Sequence, residues 1–443
     1  MADSFCAFHH RYQRLFVTKT RSVIEQSLHY FSGLMQAVCK NIERMIEVVL
    51  DTEYQALHHF ASTSPWDHRP VIDQVALDSD RHLGGTPDTG LILDETGIPK
   101  KGKKSVGVAR RWCGRLGKVA NCQLGVFASF VNGPSASLID ARLYLPEEWT
   151  NDRKRCERAG VPADVVFKTK SQLAFDIVHH ARSLGLRFSW VGVDGGYGKN
   201  PHFLKMLDDE GEQFVAGVHK DQTIYLEDPA PIIPQRRSTS GRAPSRYTTE
   251  VPKLTVADWA ANQPEQAWRQ IAIRDSTKGR LKVDILTQRV WIWLDDQNTV
   301  RQWHLIVRRE VGARETIKYS FCNATTETAP DRLAYMQGQR YFVERSFQDA
   351  KSSVGLDHYQ TRGWLAWYHH MAMVMMATLF MLETRLAQKD TYPLLSCPDI
   401  ATLLAHFLPR RDITPEEVLR QMTFRHLQRQ ASIDSAYAKP GAG

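Results

Sequence analysis

Phe188-Ser-Trp-Val-Gly-Val-Asp194-Gly-Gly-Tyr-Gly198 is the stretch that decides the fold. Its apolar half has the length of a buried strand, and it ends in an acid followed by a glycine-rich turn. Pro201 to Leu207 then reads as a helix and Gln213 to Val218 as another strand, while upstream Lys170 to Leu184 is an amphipathic helix closed by Gly185. Strand, acid, helix, strand is the order of an α/β fold. Leu91-Ile-Leu-Asp94-Glu-Thr96 repeats the pattern, an apolar strand ending in acids, so Asp94 and Asp194 both sit on rigid strand ends.

Working outward, Ala120 to Val131 and Ala136 to Leu145 read as neighbouring strands joined by the turn signal Asn132-Gly133. Residues 86–220 therefore form the first part of an α/β core, with a basic loop, Lys100-Lys-Gly-Lys-Lys104, after its first strand. Residues 1–85 read as helical. Apolar residues recur at helical spacing from Val23 to Val49, Tyr54 to Phe60 is a second piece, and Ser64-Pro65 fits an N-cap with proline at the first helical position. Such short basic helices suit either a DNA-binding domain or a plain bundle. The pairs His9-His10 and His58-His59 are weak metal signals, because adjacent residues diverge on a helix.

Past Asp221 the pattern breaks. Pro229, Pro231, Pro234 and Pro244 punctuate a basic loop containing Arg236 and Arg237. Trp268 to Ile273, Lys282 to Leu286, Val290 to Leu294 and Trp303 to Arg308 are strand-like, so 221–325 reads equally as an extended antiparallel section or as a β-rich insertion that splits the core and offers arginines and tryptophans to nucleic acid. Helices return in 326–390, with Thr328 to Met336, then Arg340 to Lys351, then a long helix from Leu365 to Leu386. Residues 391–443 read as a helical cap and tail.

Composition narrows the function classes. The 443 residues are 42% hydrophobic and 24% charged, with mean hydropathy −0.39, as in an ordinary soluble protein. Net charge is +8 and the pI about 9.0, which favours a polyanionic partner. Seven scattered cysteines without a CxxC argue against a zinc ribbon or disulfide scaffold and suit a reducing cytosol. The start lacks the pattern of a signal peptide, and the apolar run Met371 to Leu382 is too short for a membrane span, so a buried helix and a cytoplasmic protein are expected. GxxxxGK[ST], HExxH and a GxSxG nucleophile turn are missing.

The remaining chemistry lies in three acids. Two strand-end aspartates converging with a helix-borne acid, Glu344, can bind two divalent metals about 4 Å apart, and hard oxygen ligands suit Mg²⁺. Arg340, Glu344 and Lys351 share one helical face, where the cations would grip phosphates. The plainer alternatives are a surface ion-pair series on that helix and helix caps or solvated loop acids for the aspartates. Tyr197 fits either a place behind the acids or a core position.

Asp94-Glu-Thr, Asp194-Gly-Gly-Tyr197 and Arg340-x3-Glu344-x6-Lys351 resemble the acid motifs of DDE transposases of bacterial insertion sequences, in the subgroup whose first acid lies in a DET sequence. Lys103-Lys-Ser-Val-Gly-Val, Asn121-Cys-Gln-Leu-Gly-Val-Phe, Leu143-Tyr-Leu-Pro-Glu-Glu-Trp and Gly355-Leu-Asp-His-Tyr-Gln-Thr-Arg362 extend the likeness over roughly residues 50 to 385. The resemblance implies an RNase H-like core with an N-terminal helical domain and a β-rich insertion before the last catalytic helix. It implies Asp94, Asp194 and Glu344 as catalytic metal ligands for two Mg²⁺ ions, with Mn²⁺ as a substitute, and Arg340 and Lys351 as phosphate contacts. Lys100, Lys101, Lys103, Lys104, Arg236 and Arg237 are candidate DNA contacts, and Trp291, Trp293 and Trp303 are candidates to hold a flipped base. The implied reaction is hydrolysis at the element's terminal inverted repeats and transfer of the freed 3′ hydroxyl to target DNA, by a homodimer on paired ends and with no membrane partner. Gln337 stands where the family commonly has a tyrosine. Two rivals remain at this point: a transposase-derived DNA-binding protein without catalysis, and a metal phosphohydrolase of small substrates.

Overall fold

The computed structural model describes residues 1–19, 21–235, 244–276, 279–294 and 298–438. Its first six strands are β1 (Gly90–Pro99), β2 (Ala109–Cys113), β3 (Lys118–Asn132), β4 (Ser135–Tyr144), β5 (Trp190–Val193) and β6 (Phe214–Val218). Leu91, Ile92 and Leu93 open β1 and are all fully buried, the unbroken apolar run that a strand covered on both faces requires. Each contributes roughly 1.5–3 kcal/mol relative to an exposed position. β1 pairs antiparallel with β3 and parallel with β5, and β5 pairs parallel with β6. β2 and β4 follow each other along the outer side of the long β3. The β3–β4 turn is the expected one: Asn132 pairs with Ser135, and Gly133 takes the left-handed conformation (φ 55°) that a side chain would resist.

Beyond β6 come a two-stranded pair, β7 (Thr223–Ile224) with β8 (Leu254–Thr255), and then β9 (Arg269–Ser276), β10 (Gly279–Trp293), β11 (Val300–Glu310) and β12 (Ala313–Cys322). β10 is one strand where the sequence suggested two. The polar residues between its apolar halves are accommodated in the ladder, where the Arg289 guanidinium donates to the Gln302 and Ala324 carbonyls. β12 escaped the sequence reading because Glu315 to Lys318 are exposed and lack an apolar stripe. It pairs antiparallel with β6, so β9 to β12 continue the same sheet in the order β2-β3-β1-β5-β6-β12-β11-β10-β9.

The helices gather on Trp364–Ala387, which packs against β4 and against helices Ile24–Gln36, Tyr54–Ser62 and His68–Leu83. At 24 residues it is long and apolar enough to cross a membrane, but 89% of its most apolar window is buried in the fold. A helix apolar all round belongs in a core. The N-terminal helices share that core: Tyr30 bonds His370 Nδ1 at 2.8 Å, and Tyr12 donates to Asp78 at 2.7 Å. His9 lies 2.7 Å from Ser27 Oγ, a satisfied core histidine. The helix expected over Val23 to Val49 is broken, because Ala37 turns extended (ψ 139°) and Asn41 caps a new turn, Ile42–Met45. The cap expected at Ser64 falls instead on Asp67, whose side chain accepts from the Arg69 N–H at 2.9 Å.

Burial holds His9 and His369 down to about 4 and His370 to about 3. These imidazoles stay neutral in the folded protein while the unfolded chain protonates near 6.5. Their contribution is therefore fully present above pH 6.5 and is lost as pH falls toward 4, by about 2 kcal/mol each at pH 5. Thermal unfolding followed from pH 7 to pH 5 should show Tm falling steadily; a constant Tm would show that these rings are solvated.

Candidate active site

β1 and β5 bring together two acids that lie 100 residues apart. Ile92 is paired with Gly192 in parallel register; two residues on, Asp194 follows the last residue of β5, whereas Asp94 lies midway along β1 and not at the strand end the sequence suggested, because β3 pairs with β1 as far as Pro99. Ligand crevices in α/β sheets open at this carboxyl end of parallel strands. Asp94 and Asp194 consequently feel each other's charge: burial first, then Asp194, pushes the Asp94 carboxyl up to about 7, while Arg340 and the Glu95 N–H oppose the shift.

Asp194 has a second duty. Its Oδ1 accepts from the N–H groups of Gly196 (2.9 Å) and Tyr197 (3.3 Å), capping the short helix Gly195–Gly198. That helix lies directly on β6. A Cβ at Gly198 would stand 1.8 Å from the Gly217 carbonyl oxygen, so only glycine permits the approach. Tyr197 is 3% exposed and packs on Phe203 behind the acids. Burial, followed by the charges of Glu95, Asp94 and Asp194, pushes its phenol well above the ordinary range.

Across the cleft, Arg340 joins helices Pro330–Gln339 and Tyr341–Val354. Its guanidinium sits 2.9 Å from Glu344 Oε1 and 3.5 Å from Asp94 Oδ2. The i,i+4 ion pair of the plain reading is thus present, but it also reaches β1. Lys351 Nζ donates to Thr96 Oγ1 at 2.7 Å, so the cations at both ends of this helical face touch the strand that carries Asp94. Among the described residues no group of three or more His, Cys, Asp or Glu side chains is arranged to hold a metal ion; Glu344 is engaged by Arg340.

Two clefts meet at Asp194 and Glu344. One, of about 890 Å³, is lined by Asp94, Thr96, Trp112 and Lys351. The other, of about 560 Å³, is lined by Arg308, Lys318, Gln337 and Arg340. Gln337 is buried in that wall and donates to Ser320 Oγ at 2.9 Å, while Tyr341, one turn later, lines the same cleft and is 43% exposed.

The expected DNA contacts divide. Lys100 turns inward, its ammonium 2.6 Å from the Tyr359 carbonyl and 3.5 Å from that ring's centroid, and burial pushes it down to about 7. Lys101, Lys103 and Lys104 are exposed and line a groove beside helix Pro415–Tyr437. Arg236 and Arg237 lie outside the described residues. Trp291 and Trp293 are half-buried on β10, but Trp303 is a core residue, fully enclosed with its ring 5.0 Å from Phe214 edge to face, and cannot receive a base. The sequence reading missed Trp112, which is 63% exposed at the acid cleft. Its signal was the alternation of Ala109–Cys113, which turns Arg110 and Trp112 outward.

A mixed sheet with one aspartate midway along β1 and another just past the end of β5, faced by a helical Arg-Glu pair, is the setting of the site, and the chain belongs to the DDE superfamily of endonucleases, whose sequence profile matches residues 12–280. It is related to IS701-family transposases, being 29% identical over 191 residues to the "Probable transposase for insertion sequence element IS701" of Microchaete diplosiphon. That match spans 42% of this chain and 46% of the relative. The profile match includes Asp94 and Asp194 and ends before Glu344.

The capping role of Asp194 is separable from its charge. Asp194→Asn keeps an acceptor for the Gly196 and Tyr197 N–H groups, whereas Asp194→Ala loses it and should be the less stable of the two by about 1 kcal/mol. Denaturant midpoints measure the difference; equal midpoints would show that the cap contributes nothing.

Proposed function

We propose that this protein is a DDE transposase that hydrolyses DNA phosphodiesters at the terminal inverted repeats of its element and passes the freed 3′ hydroxyl to target DNA in the cytoplasm. In this reading residues 86–220 and 326–390 form an RNase H-like core, split by the insertion 221–325 and flanked by helical regions 1–85 and 391–443. The strand order β3-β1-β5-β6, with β1 antiparallel to β3 and parallel to β5, supports that assignment. The observation that carries the proposal is the adjacency of Asp94 and Asp194 with Arg340 and Glu344 facing them.

The reading takes two Mg²⁺ ions, or Mn²⁺ in their place, as cofactors, on the chemistry of the donors and not on their present arrangement, in which Glu344 is engaged by Arg340. The donors are all carboxylate oxygens, suited to hard cations, and the raised affinity of Asp94 for a proton marks a carboxylate pair short of positive charge. Asp94, Asp194 and Glu344 would hold the ions. Bound there, they would activate the attacking hydroxyl and stabilise the leaving oxygen of an in-line displacement. Arg340 exchanges its carboxylate partners for phosphate oxygens when the DNA strand enters, which frees Glu344. Lys351, seated on Thr96, neutralises the next stretch of backbone. A homodimer on paired ends follows from the need to join two ends in one event.

The ion pair between Arg340 and Glu344 favours a second reading, a transposase-derived DNA-binding protein without catalysis. A labelled element end incubated with Mg²⁺ separates the two. The wild type should cleave it, and Asp94→Asn should abolish cleavage while binding stays equal or tightens as repulsion of phosphate falls. Wild-type binding without cleavage would select the silent reading, and cleavage by Asp94→Asn would remove Asp94 from the chemistry.

A further inference from the structure

We propose that Arg308 and Lys318, with Arg274, form a second phosphate site in the insertion, one that grips a backbone phosphodiester of DNA beside the acid pair. Its identification with DNA rests on the function proposed above. The contrast between two neighbouring residues of β11 carries the argument. Arg309 points to one face of the sheet, where its guanidinium pairs with Asp284 at 3.1 Å and with Glu265, and lies over the Trp268 ring at 4.1 Å. It is a finished structural contact. Arg308 points to the other face, into the 560 Å³ cleft. Among the described residues it has no ion-pair partner.

Its strand partner aggravates the imbalance. Arg308 stands directly opposite Lys318 in the β11–β12 ladder, and both line the cleft. Like charges directly opposite each other destabilise a sheet. The Arg274 guanidinium is held 3.5 Å from the Tyr341 ring centroid on the same cleft, and Arg340 completes a cluster of four cations. The acids facing them are Glu310, Asp194 and Glu344, the last already bound by Arg340. Burial first, with Arg274 and Arg340 also working against its charge, lowers the Arg308 pKa although Glu310 opposes the shift. A cluster of cations that repel one another beside a cleft is short of an anion.

The anion chemistry follows from the groups. Guanidinium forks match phosphate oxygens in pairs, and an ammonium beside them adds a mobile point charge. The cleft shares Asp194 and Glu344 with the larger acid cleft, so a phosphate here and the phosphate at the acids lie along one continuous trough. A nucleic-acid backbone supplies phosphates in such a row.

The test uses the full chain and a 20-bp duplex in EDTA, where cleavage plays no part. Arg308→Gln/Lys318→Gln should bind at least tenfold more weakly at low salt. Its plot of log K against log salt should be shallower by about one to two units, since each phosphate contact contributes about 0.9. Without DNA the same variant should melt at or above the wild-type temperature, because a repelling pair has gone. Arg309→Gln is the control, expected to melt lower with its salt slope unchanged. Unchanged affinity and slope in the double variant overturn the site, whether or not the wild type cleaves DNA. Weaker binding by the double variant with no cleavage by the wild type would uphold this site and sink the proposed function, whereas unchanged binding by the double variant with cleavage by the wild type would do the reverse.

Discussion

The parallel pairing of β1 with β5 is the constraint on which the rest depends. It is short, three residue pairs from Gly90 to Ile92, yet it fixes two aspartates from distant parts of the chain side by side. Every other element of the site is placed relative to that pair. β6 extends it and supports the turn capped by Asp194, and helix Tyr341–Val354 reaches back to β1 through Arg340 and Lys351. A slip of one residue in this register would turn each carboxylate to the opposite face.

Electrostatic tension is concentrated at Asp94 and in the adjoining cleft. Asp94 is buried beside a like charge, and across the cleft cations on the insertion crowd one another. Several charges elsewhere are paired: Arg187 on Asp80, Arg182 on Glu212, Lys170 on Glu95 and Arg301 on Asp208. Arg340, touching Asp94 and Glu344 together, links the two regions of opposite sign. The geometry of this single guanidinium therefore bears on both acids and on whatever phosphate enters between them.

Much of this was legible in the residues. The apolar strand starts before Asp94 and Asp194, the helix Lys170–Ser183 and the Asn132-Gly133 turn all carry strong local signals and lie close to where they were expected, although β1 runs on to Pro99. What escaped depends on partners far away in sequence. β12 is a strand because β6 and β11 supply its ladder, and no local pattern announces that. Lys100 looked like a member of an exposed basic loop, but Tyr359, far along the chain, draws it inward. Trp303 resembled its neighbours on β10 until Phe214 and Phe321 enclosed it. The separations between the three acids are too long for spacing alone to define a site, and the grip of Arg340 on Glu344 was readable only as an i,i+4 pair, without its reach to Asp94.

The continuity of the sheet through β12 has a consequence for how far this chain can be reduced. β6 reads Phe214-Val-Ala-Gly-Val218, and β12 covers the side that β5 does not. Excising the insertion would strip that cover and leave a bare apolar edge, a template for pairing with another chain. Because β12 covers that edge, a minimal version that retains the acids but omits β12 would need a charged or capped replacement for it.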